Sequence, residues 1–352
     1  MKRLLLTLIW FGLFLLRFFS SQQTGIKLGH LIGKPISLSG RISSEVILQG
    51  ISQKFRMNQI DIVAGSDVIY EYSQKVEISG TLQRKVINRW YNRFSLIYPH
   101  IKIINGYNKN AIRYWLIRFR QAIQTVYNRI LPEPEASLMA GIVLGVKTSL
   151  PQEFYMALQK TGTMHIVVAS GFNVTIIMGS LIAWLAGPLR RRWAVLAGII
   201  LVWLYALMAG FGPAIVRAAI MGSAAYLGQL LGRQSVAWRL LLLSAMVMLL
   251  VSPLLIFDIG FQLSFLATSG LILISPYLPA WLPQGTRETL SAQIMVWPIL
   301  LVNFGQVSLI GILVNSVIVL LVPYVMALAF LPWLAYLPLT IMVRIIELFN
   351  RL

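Results

Sequence analysis

Three ionisable side chains stand inside long apolar stretches of this sequence: His165, Arg217 and Asp258. An ionisable group at membrane depth is costly and commonly belongs to a substrate or ion pathway. Arg217 keeps its charge across the physiological pH range, so a buried Arg217 must pair with an anion or face water. These residues are therefore candidates for the lining of a hydrated path through a membrane.

Neutral polar side chains accompany them along the apolar region. On a helix, which turns about 100° per residue, Asp258 shares a face with Gln262, and Asn173 lies within about 80° of His165. The predicted lining set is His165, Ser170, Asn173, Arg217, Asp258, Gln262, Ser264, Asn303, Gln306 and Asn315. Three structural alternatives stay open: a polar seam between closely packed helices, an Asp258–Arg217 ion pair, and an Arg217 that snorkels to the interface.

The sequence around Arg217 also predicts a helix start. Pro213 suits the first position of a helix, and Arg217 follows one turn later. The N–H groups at such a start direct positive charge towards an anion.

Basic and aromatic residues alternate in residues 84–94 and 113–120. Cations that hold phosphates beside rings that stack on bases are typical of single-stranded nucleic acid binding. The DNA-binding candidates are Arg84, Lys85, Arg89, Trp90, Arg93 and Phe94. The same residue types gather at membrane interfaces, which is an open alternative for 84–94 and the favoured one for 113–120.

The composition indicates a membrane protein. Of 352 residues, 57% are hydrophobic and 12% charged, against about 45–50% and about 25% in soluble domains. An ordinary soluble enzyme is therefore excluded. The net charge is +19, and 16 of the 30 Lys and Arg residues fall in residues 21–135, which favours a polyanionic partner. With no Cys and three scattered His, we expect neither a metal centre nor a cofactor.

The first third of the chain predicts an anchor and a small polar domain. Lys2 and Arg3 precede an apolar run, so residues 1–20 are expected to form an uncleaved membrane anchor that places the following residues outside. Residues 21–110 predict an all-β, OB-like domain, with strands near 35–40, 45–48, 59–63, 67–70 and 75–80. Residues 111–135 predict a basic amphipathic helix on the outer membrane surface.

Residues 136–352 predict a polytopic helical domain. Residues 137–161 contain Gly141, Gly145 and Pro151, so we expect a broken or re-entrant segment there. Arginines in alternate loops then lie on the same side as Lys2, which leaves residues 21–135 extracytoplasmic. The fold class is mainly α, with a small N-terminal β domain. The predicted spans are 164–187, 193–211, 214–231, 238–256, 260–276, 289–304 and 308–335.

Five short motifs, in order, resemble the signature of ComEC-type competence proteins. They are LGVKTSLP (144–151) with TGTMHIVVASGFNV (161–174), VRAAIM (216–221), DIGFQLSFLA (258–267), and NFGQVSL (303–309) with Asn315. The resemblance covers most of residues 30–330. It implies a cell-membrane channel that passes one DNA strand into the cytoplasm during natural transformation, without enzymatic activity. His165, Ser170, Arg217, Asp258, Gln262 and Ser264 fall on the family's characteristic polar sites.

The chain departs from the family pattern in two places. Asn173 stands where the family has a second His, which removes the basis for two-histidine chemistry. Many members carry a β-lactamase-like domain after the membrane part, and this sequence resembles a short form without it. We therefore expect a separate nuclease, a DNA receptor and a cytoplasmic motor as partners, besides single-stranded DNA, membrane lipids and further copies of the chain.

Two other functions stay open. A transporter or flippase for another anionic polymer or lipid suits the same charges. An intramembrane serine protease would need Ser170 and a base within hydrogen-bond reach. Because five residues separate His165 and Ser170, they would lie about 140° apart on one helix, which disfavours this alternative.

Overall fold

The computed structural model describes residues 10–20, 30–44, 46–49, 52–57, 60–65, 67–88, 91–107, 112–146, 150–167, 170–305 and 310–350. The chain divides into two compact units. The first comprises Met1–Arg118 with Leu249–Phe257, and the second comprises Phe119–Met248 with Asp258–Leu352.

The first unit contains eight strands among its described residues. Its sheets have the strand orders β1-β5-β8 and β2-β3-β4-β7-β6. Alternating apolar residues, such as Phe55 and Met57 on β3 and Val76 and Ile78 on β5, form the core of this unit. The strands are β1 Pro35–Arg41, β2 Ile47–Gln49, β3 Ser52–Met57, β4 Ile60–Gly65, β5 Gln74–Thr81, β6 Gln83–Asn88, β7 Tyr91–Ile97 and β8 His100–Tyr107.

The prediction of a small all-β domain is confirmed, with differences in its strands. Strands continue to Tyr107, and the two sheets do not confirm an OB-like topology. No strand forms at the predicted 67–70, which lie within the described part of the unit. The buried Gln53 side chain forms hydrogen bonds with the backbone of these residues, because its amide donates to Val68 O and accepts from the Tyr70 N–H.

The rest of the described chain is helical. An N-terminal helix, α1, covers Trp10–Ser20 of the predicted anchor, and residues 1–9 lie outside the described part. The helices that follow are α2 Ile112–Ile130, α3 Glu135–Leu144, α4 Gln152–Lys160, α5 Met164–Val167, α6 Gly171–Leu185, α7 Arg191–Met208, α8 Pro213–Leu230, α9 Ala237–Val251, α10 Ile259–Leu273, α11 Gln284–Phe304, α12 Ile310–Ala327 and α13 Pro332–Asn350.

Five described helical segments are long and apolar enough to cross a membrane, so this is a polytopic membrane protein, as predicted. They are Met164–Leu185, Arg191–Met208, Ile259–Tyr277, Ile310–Ala327 and Pro332–Asn350. The prediction of one last span at 308–335 is wrong, because α12 ends at Ala327 and α13 begins at Pro332. Pro332 is the first residue of α13, a position at which proline is favoured, so a new helix begins there.

The predicted interruption within residues 137–161 is present. The helix α3 ends at Leu144, and Gly145 follows in the left-handed conformation with φ 70°. Glycine adopts this conformation without the steric cost that a Cβ atom brings, so it ends the helix here.

Within the predicted segment 111–135, α2 covers Ile112–Ile130, and its position on the membrane surface stays a prediction. In the second unit, Arg120 is 2% exposed and donates to Met208 O at 3.0 Å, where the carbonyls at the C-terminal end of α7 favour a cation. Tyr127 donates to Ala329 O at 3.0 Å. Burial lowers the pKa of Arg120 to about 10 and raises the pKa of Tyr127 to about 12.

Candidate functional site

Three helices of the second unit begin around Arg217. On α8, the Nε atom of Arg217 donates to the hydroxyl of Ser264 on α10 at 2.8 Å. The guanidinium also lies against the start of α6, because a Cβ atom added at Gly171 would stand 2.5 Å from Nη2. The start of α10 lies beside the start of α8, because a Cβ atom added at Gly260 would stand 3.8 Å from Pro213 Cγ.

Local signals in the sequence set these helix starts. The Ser170 hydroxyl accepts from the Asn173 N–H at 3.3 Å, and the Asp258 carboxylate accepts from the Phe261 N–H at 3.1 Å. Both are N-cap hydrogen bonds, which satisfy an N–H group of the first turn. Pro213 occupies the first turn of α8.

Arg217 brings a positive charge to the site, and the described residues form no ion pair with it. Its hydrogen bonds within the described residues go to Ser264 and, at 3.5 Å, to the Met221 sulfur, both uncharged. The described residues do not form the Asp258–Arg217 ion pair that the sequence left open. The N-terminal turns of α6 and α8 add partial positive charge, whereas the Asp258 carboxylate offsets that of α10. Arg217 and these two turns together can attract an anion.

Asn173 packs between helices in the described structure, and its role as a lining residue stays a prediction. It is 2% exposed. Its Nδ2 atom donates to Ile142 O at 2.9 Å, and its Oδ1 atom accepts from the Ser170 hydroxyl at 3.0 Å. These bonds connect the start of α6 to α3.

His165 and Ser170 are not hydrogen-bonded to each other in the described structure. The exposed His165 ring places Nδ1 3.2 Å from Gly162 O, whereas the Ser170 hydroxyl donates to Asn173. The described geometry therefore lacks the nucleophile–base contact that a serine hydrolase needs. No three His, Asp or Glu side chains of the described residues lie close enough to hold a metal ion.

The other predicted lining residues do not all join the Arg217 site. Gln262 is half-buried on α10. Asn303 is exposed and donates to Ile299 O of its own helix at 2.9 Å. Asn315 is 2% exposed, and its Oδ1 atom has no hydrogen-bond partner among the described residues. Gln306 lies outside the described residues.

The DNA-binding candidates lie on β6, β7 and the connection between them. Arg84 is exposed. Lys85 stands opposite Arg93 in the register of β6 and β7. Phe94 is partly buried and packs against the core of the first unit, and its role as a stacking residue stays a prediction. Arg89 and Trp90 lie outside the described residues.

Sequence reasoning missed one neighbour of the site, Met221. Its position four residues after Arg217 on one helix was the available signal, since such pairs lie side by side. The sequence also did not reveal that the Arg217 guanidinium approaches the start of α6 at Gly171.

The site lies within a segment shared with known proteins. The chain is 31% identical to ComE operon protein 3 of Bacillus subtilis (strain 168) over 63% of this chain and 29% of that protein. It is 30% identical to competence protein ComA of Neisseria gonorrhoeae over 51% of this chain and 28% of that protein. It is 25% identical to the uncharacterized protein YcaI of Escherichia coli (strain K12) over 58% of this chain and 30% of that protein.

The chain thus spans less than a third of the length of these relatives. No solved structure matches it significantly. The sequence model of the Competence protein family matches residues 142–352, a segment that contains Arg217, Ser264 and every other predicted lining residue. The chain belongs to the competence protein family.

Proposed function

We propose that the second unit forms a non-enzymatic channel for single-stranded DNA, which passes into the cytoplasm during natural transformation. The observation that carries the proposal is Arg217, a cation on α8 that lies against the start of α6 and donates to Ser264 on α10. Its described hydrogen-bond partners, Ser264 and Met221, are neutral. A passing phosphate would supply the anion, and arginine binds phosphate oxygens with paired N–H donors.

The competence relatives support DNA as the anion. In this proposal the protein lies in the cell membrane with residues 21–135 outside the cytoplasm. Its partners are membrane lipids, a DNA receptor, a separate nuclease and a cytoplasmic motor, and several copies assemble as a homo-oligomer. The positive charge of residues 21–135 would attract the incoming strand.

Uptake of labelled DNA tests the channel. Cells carry the wild-type gene, a deletion, or Arg217→Ala at a matched membrane level. Arg192→Gln, at an exposed arginine in the first turn of α7, is the control for the loss of one positive charge. We expect uptake to be lost in the deletion and in Arg217→Ala and kept in Arg192→Gln. Normal uptake in the deletion strain contradicts the proposal.

A transporter or flippase for another anionic polymer or lipid is the second candidate, because Arg217 recognises charge and not bases. Competition separates the two functions. Polyphosphate that suppresses DNA uptake no better than an unrelated salt at equal ionic strength favours DNA, since base stacking adds affinity that polyphosphate lacks. Transport of polyphosphate itself favours the second candidate.

A further inference from the structure

A cavity of about 320 Å³ opens on the first unit between two loops. One wall is the loop that contains Asp67 and Tyr70, and the other is the corner Tyr98–Pro99 with His100. Ligand pockets commonly measure about 300–1,000 Å³. The described lining contains none of the DNA-binding candidates that the sequence predicted.

The first wall is fixed by one fully buried side chain, Gln53. Its Nε2 atom donates to Gly65 O at 3.3 Å and to Val68 O at 2.6 Å. Its Oε1 atom accepts from the Tyr70 N–H at 3.2 Å. Three hydrogen bonds from a single buried amide hold this loop in place before any ligand binds, which is the property of a preorganised site.

The second wall carries a strained residue. Tyr98 has φ 47°, a left-handed conformation that is an outlier for a bulky side chain and concentrates at functional sites. Its N–H donates to Val63 O at 2.7 Å. Pro99 packs so closely on Gly80 that a Cβ atom there would lie 2.9 Å from Pro99 Cβ. The corner is thereby held, and the Tyr98 side chain stays 62% exposed.

The lining combines flat rings with a single carboxylate. Tyr98 and His100 present rings for stacking, and Asp67 supplies an acceptor whose Oδ2 atom would lie 3.3 Å from a Cβ atom added at Gly65. Burial, together with the Asp67 charge, raises the pKa of Tyr70. The described lining contains no Lys or Arg. It therefore does not suit a phosphate and does suit a planar ring that carries an amino group.

We infer that this cavity binds one nucleobase with an exocyclic amine, stacked on Tyr98 and donating to Asp67. The inference rests on the proposed function, since it names a second contact for the same DNA strand. Arg84 stands opposite Phe94, four residues before Tyr98, which corresponds to about 13 Å along β7. A neighbouring phosphate of the strand can reach Arg84 while its base occupies the cavity.

Binding of fluorescent oligonucleotides to the full chain in detergent tests the cavity. The probes are oligo-dC, oligo-dT, which lacks the amine, and an abasic strand of equal length. Tyr98→Gly removes the ring, and glycine accepts the positive φ, so the corner is kept. Asp67→Asn removes the charge of the acceptor. Tyr155→Ala, at an exposed tyrosine of α4, is the control.

We expect Tyr98→Gly to weaken oligo-dC binding about tenfold, as for the loss of one stacked base, and to leave binding of the abasic strand unchanged. Asp67→Asn narrows the preference for oligo-dC over oligo-dT, and Tyr155→Ala changes nothing. A photocrosslinker at position 98 should attach to DNA.

Three results overturn the inference. Equal oligo-dC binding by the wild type and Tyr98→Gly removes the cavity from the DNA path while the channel proposal stands. Crosslinks from position 98 to protein alone assign the cavity to a protein segment. A wild-type chain that binds no oligonucleotide at low salt contradicts the cavity and also the outer part of the proposed function.

Discussion

The Nε atom of Arg217 lies 2.8 Å from the hydroxyl oxygen of Ser264, and this hydrogen bond joins α8 to α10. A neutral hydroxyl orients the guanidinium without cancelling its charge. The Nη2 atom then faces the first turn of α6, as the short distance to a Cβ atom at Gly171 shows. The arrangement fixes a cation in place and keeps its charge for an anion.

Ser264→Ala tests whether orientation matters apart from charge. The variant keeps the Arg217 cation but removes the acceptor of its Nε–H. A hydrogen bond to a charged group is worth about 1.5–3 kcal/mol, so we expect DNA uptake to fall about tenfold, less than in Arg217→Ala. Ser269→Ala is the matched control on α10, because that hydroxyl donates to Phe265 O of its own helix. Equal uptake in both serine variants would contradict the orienting role.

Gly171→Ala tests the space that Arg217 occupies. The added methyl group would stand 2.5 Å from Nη2, so the guanidinium must move. We expect uptake to fall about as far as in Ser264→Ala, with the protein still folded and present in the membrane. Gly179→Ala, on the same helix, brings its Cβ atom 3.7 Å from the Tyr226 hydroxyl, an ordinary contact, and should leave uptake unchanged.

Asn173→Ala should destabilise the second unit. It leaves Ile142 O without its described donor and the Ser170 O–H without its described acceptor, although the backbone N–H of residue 173 still donates to Ser170. An unsatisfied buried polar group costs about 1–3 kcal/mol. The measurement is the free energy of unfolding in detergent. Asn303→Ala, at an exposed amide bonded to its own helix, should change this energy by less than about 0.5 kcal/mol. An Asn173→Ala protein as stable as wild type would favour a place for Asn173 in the channel lining.

Tyr127 should make stability fall at alkaline pH. Its pKa is raised to about 12 in the folded chain, against about 10 when unfolded. Between these values the unfolded state releases the proton that the folded state keeps, so the stabilising contribution is complete below pH 10 and is lost towards pH 12. Wild type should therefore exceed Tyr127→Phe in stability below pH 10, and this difference should shrink above it.

The comparison with Tyr127→Phe is needed because Arg120 acts in the opposite direction. Burial lowers its pKa to about 10 in the folded chain, below the pKa of an exposed guanidinium. Above pH 10 the unfolded state therefore keeps a proton that the folded state has released, and the contribution of Arg120 to stability rises with pH there. Arg120 is present in both proteins and cancels in the difference. A difference in unfolding free energy that stays constant from pH 7 to 11.5 would show that the Tyr127 phenol ionises as freely in the folded state as in the unfolded one.

The helix starts of the site could be predicted from the sequence, whereas the contacts between side chains on different helices could not. Pro213 and the caps Ser170 and Asp258 act within one turn, so their meaning is local. The contact of Arg217 with Ser264 joins residues 47 apart in the chain. Its formation depends on how α8 and α10 pack, and no short-range pattern encodes that. For the same reason the sequence left an ion pair with Asp258 open, although Asp258 caps its own helix.

The β unit shows the same limit. Alternation of apolar residues predicted a small β domain, because an apolar residue at every second position indicates a strand with one buried face. It did not reveal that Phe94 faces the core, since basic neighbours in sequence favoured a DNA-binding surface. The strain at Tyr98 was equally hidden, because a positive φ at tyrosine arises from the corner between two sheets and has no signature in residue type.

Cysteine labelling tests the topology, and the absence of Cys from the sequence leaves no background reaction. In the first unit Arg17, near the end of α1, donates to Val251 O at the end of α9 at 3.1 Å, so these two ends lie together. We therefore expect cysteine at Ser37 or Ser252 to react with a membrane-impermeant maleimide in intact cells. Cysteine at Arg192 should react only after permeabilisation, because the positive-inside rule predicts a cytoplasmic position for that arginine. The three positions are exposed, so a difference in labelling shows the side of the membrane and not the burial of the residue.

Labelling of Arg192→Cys in intact cells would contradict the proposed orientation. The basic β unit would then face the cytoplasm, where it could not attract incoming DNA.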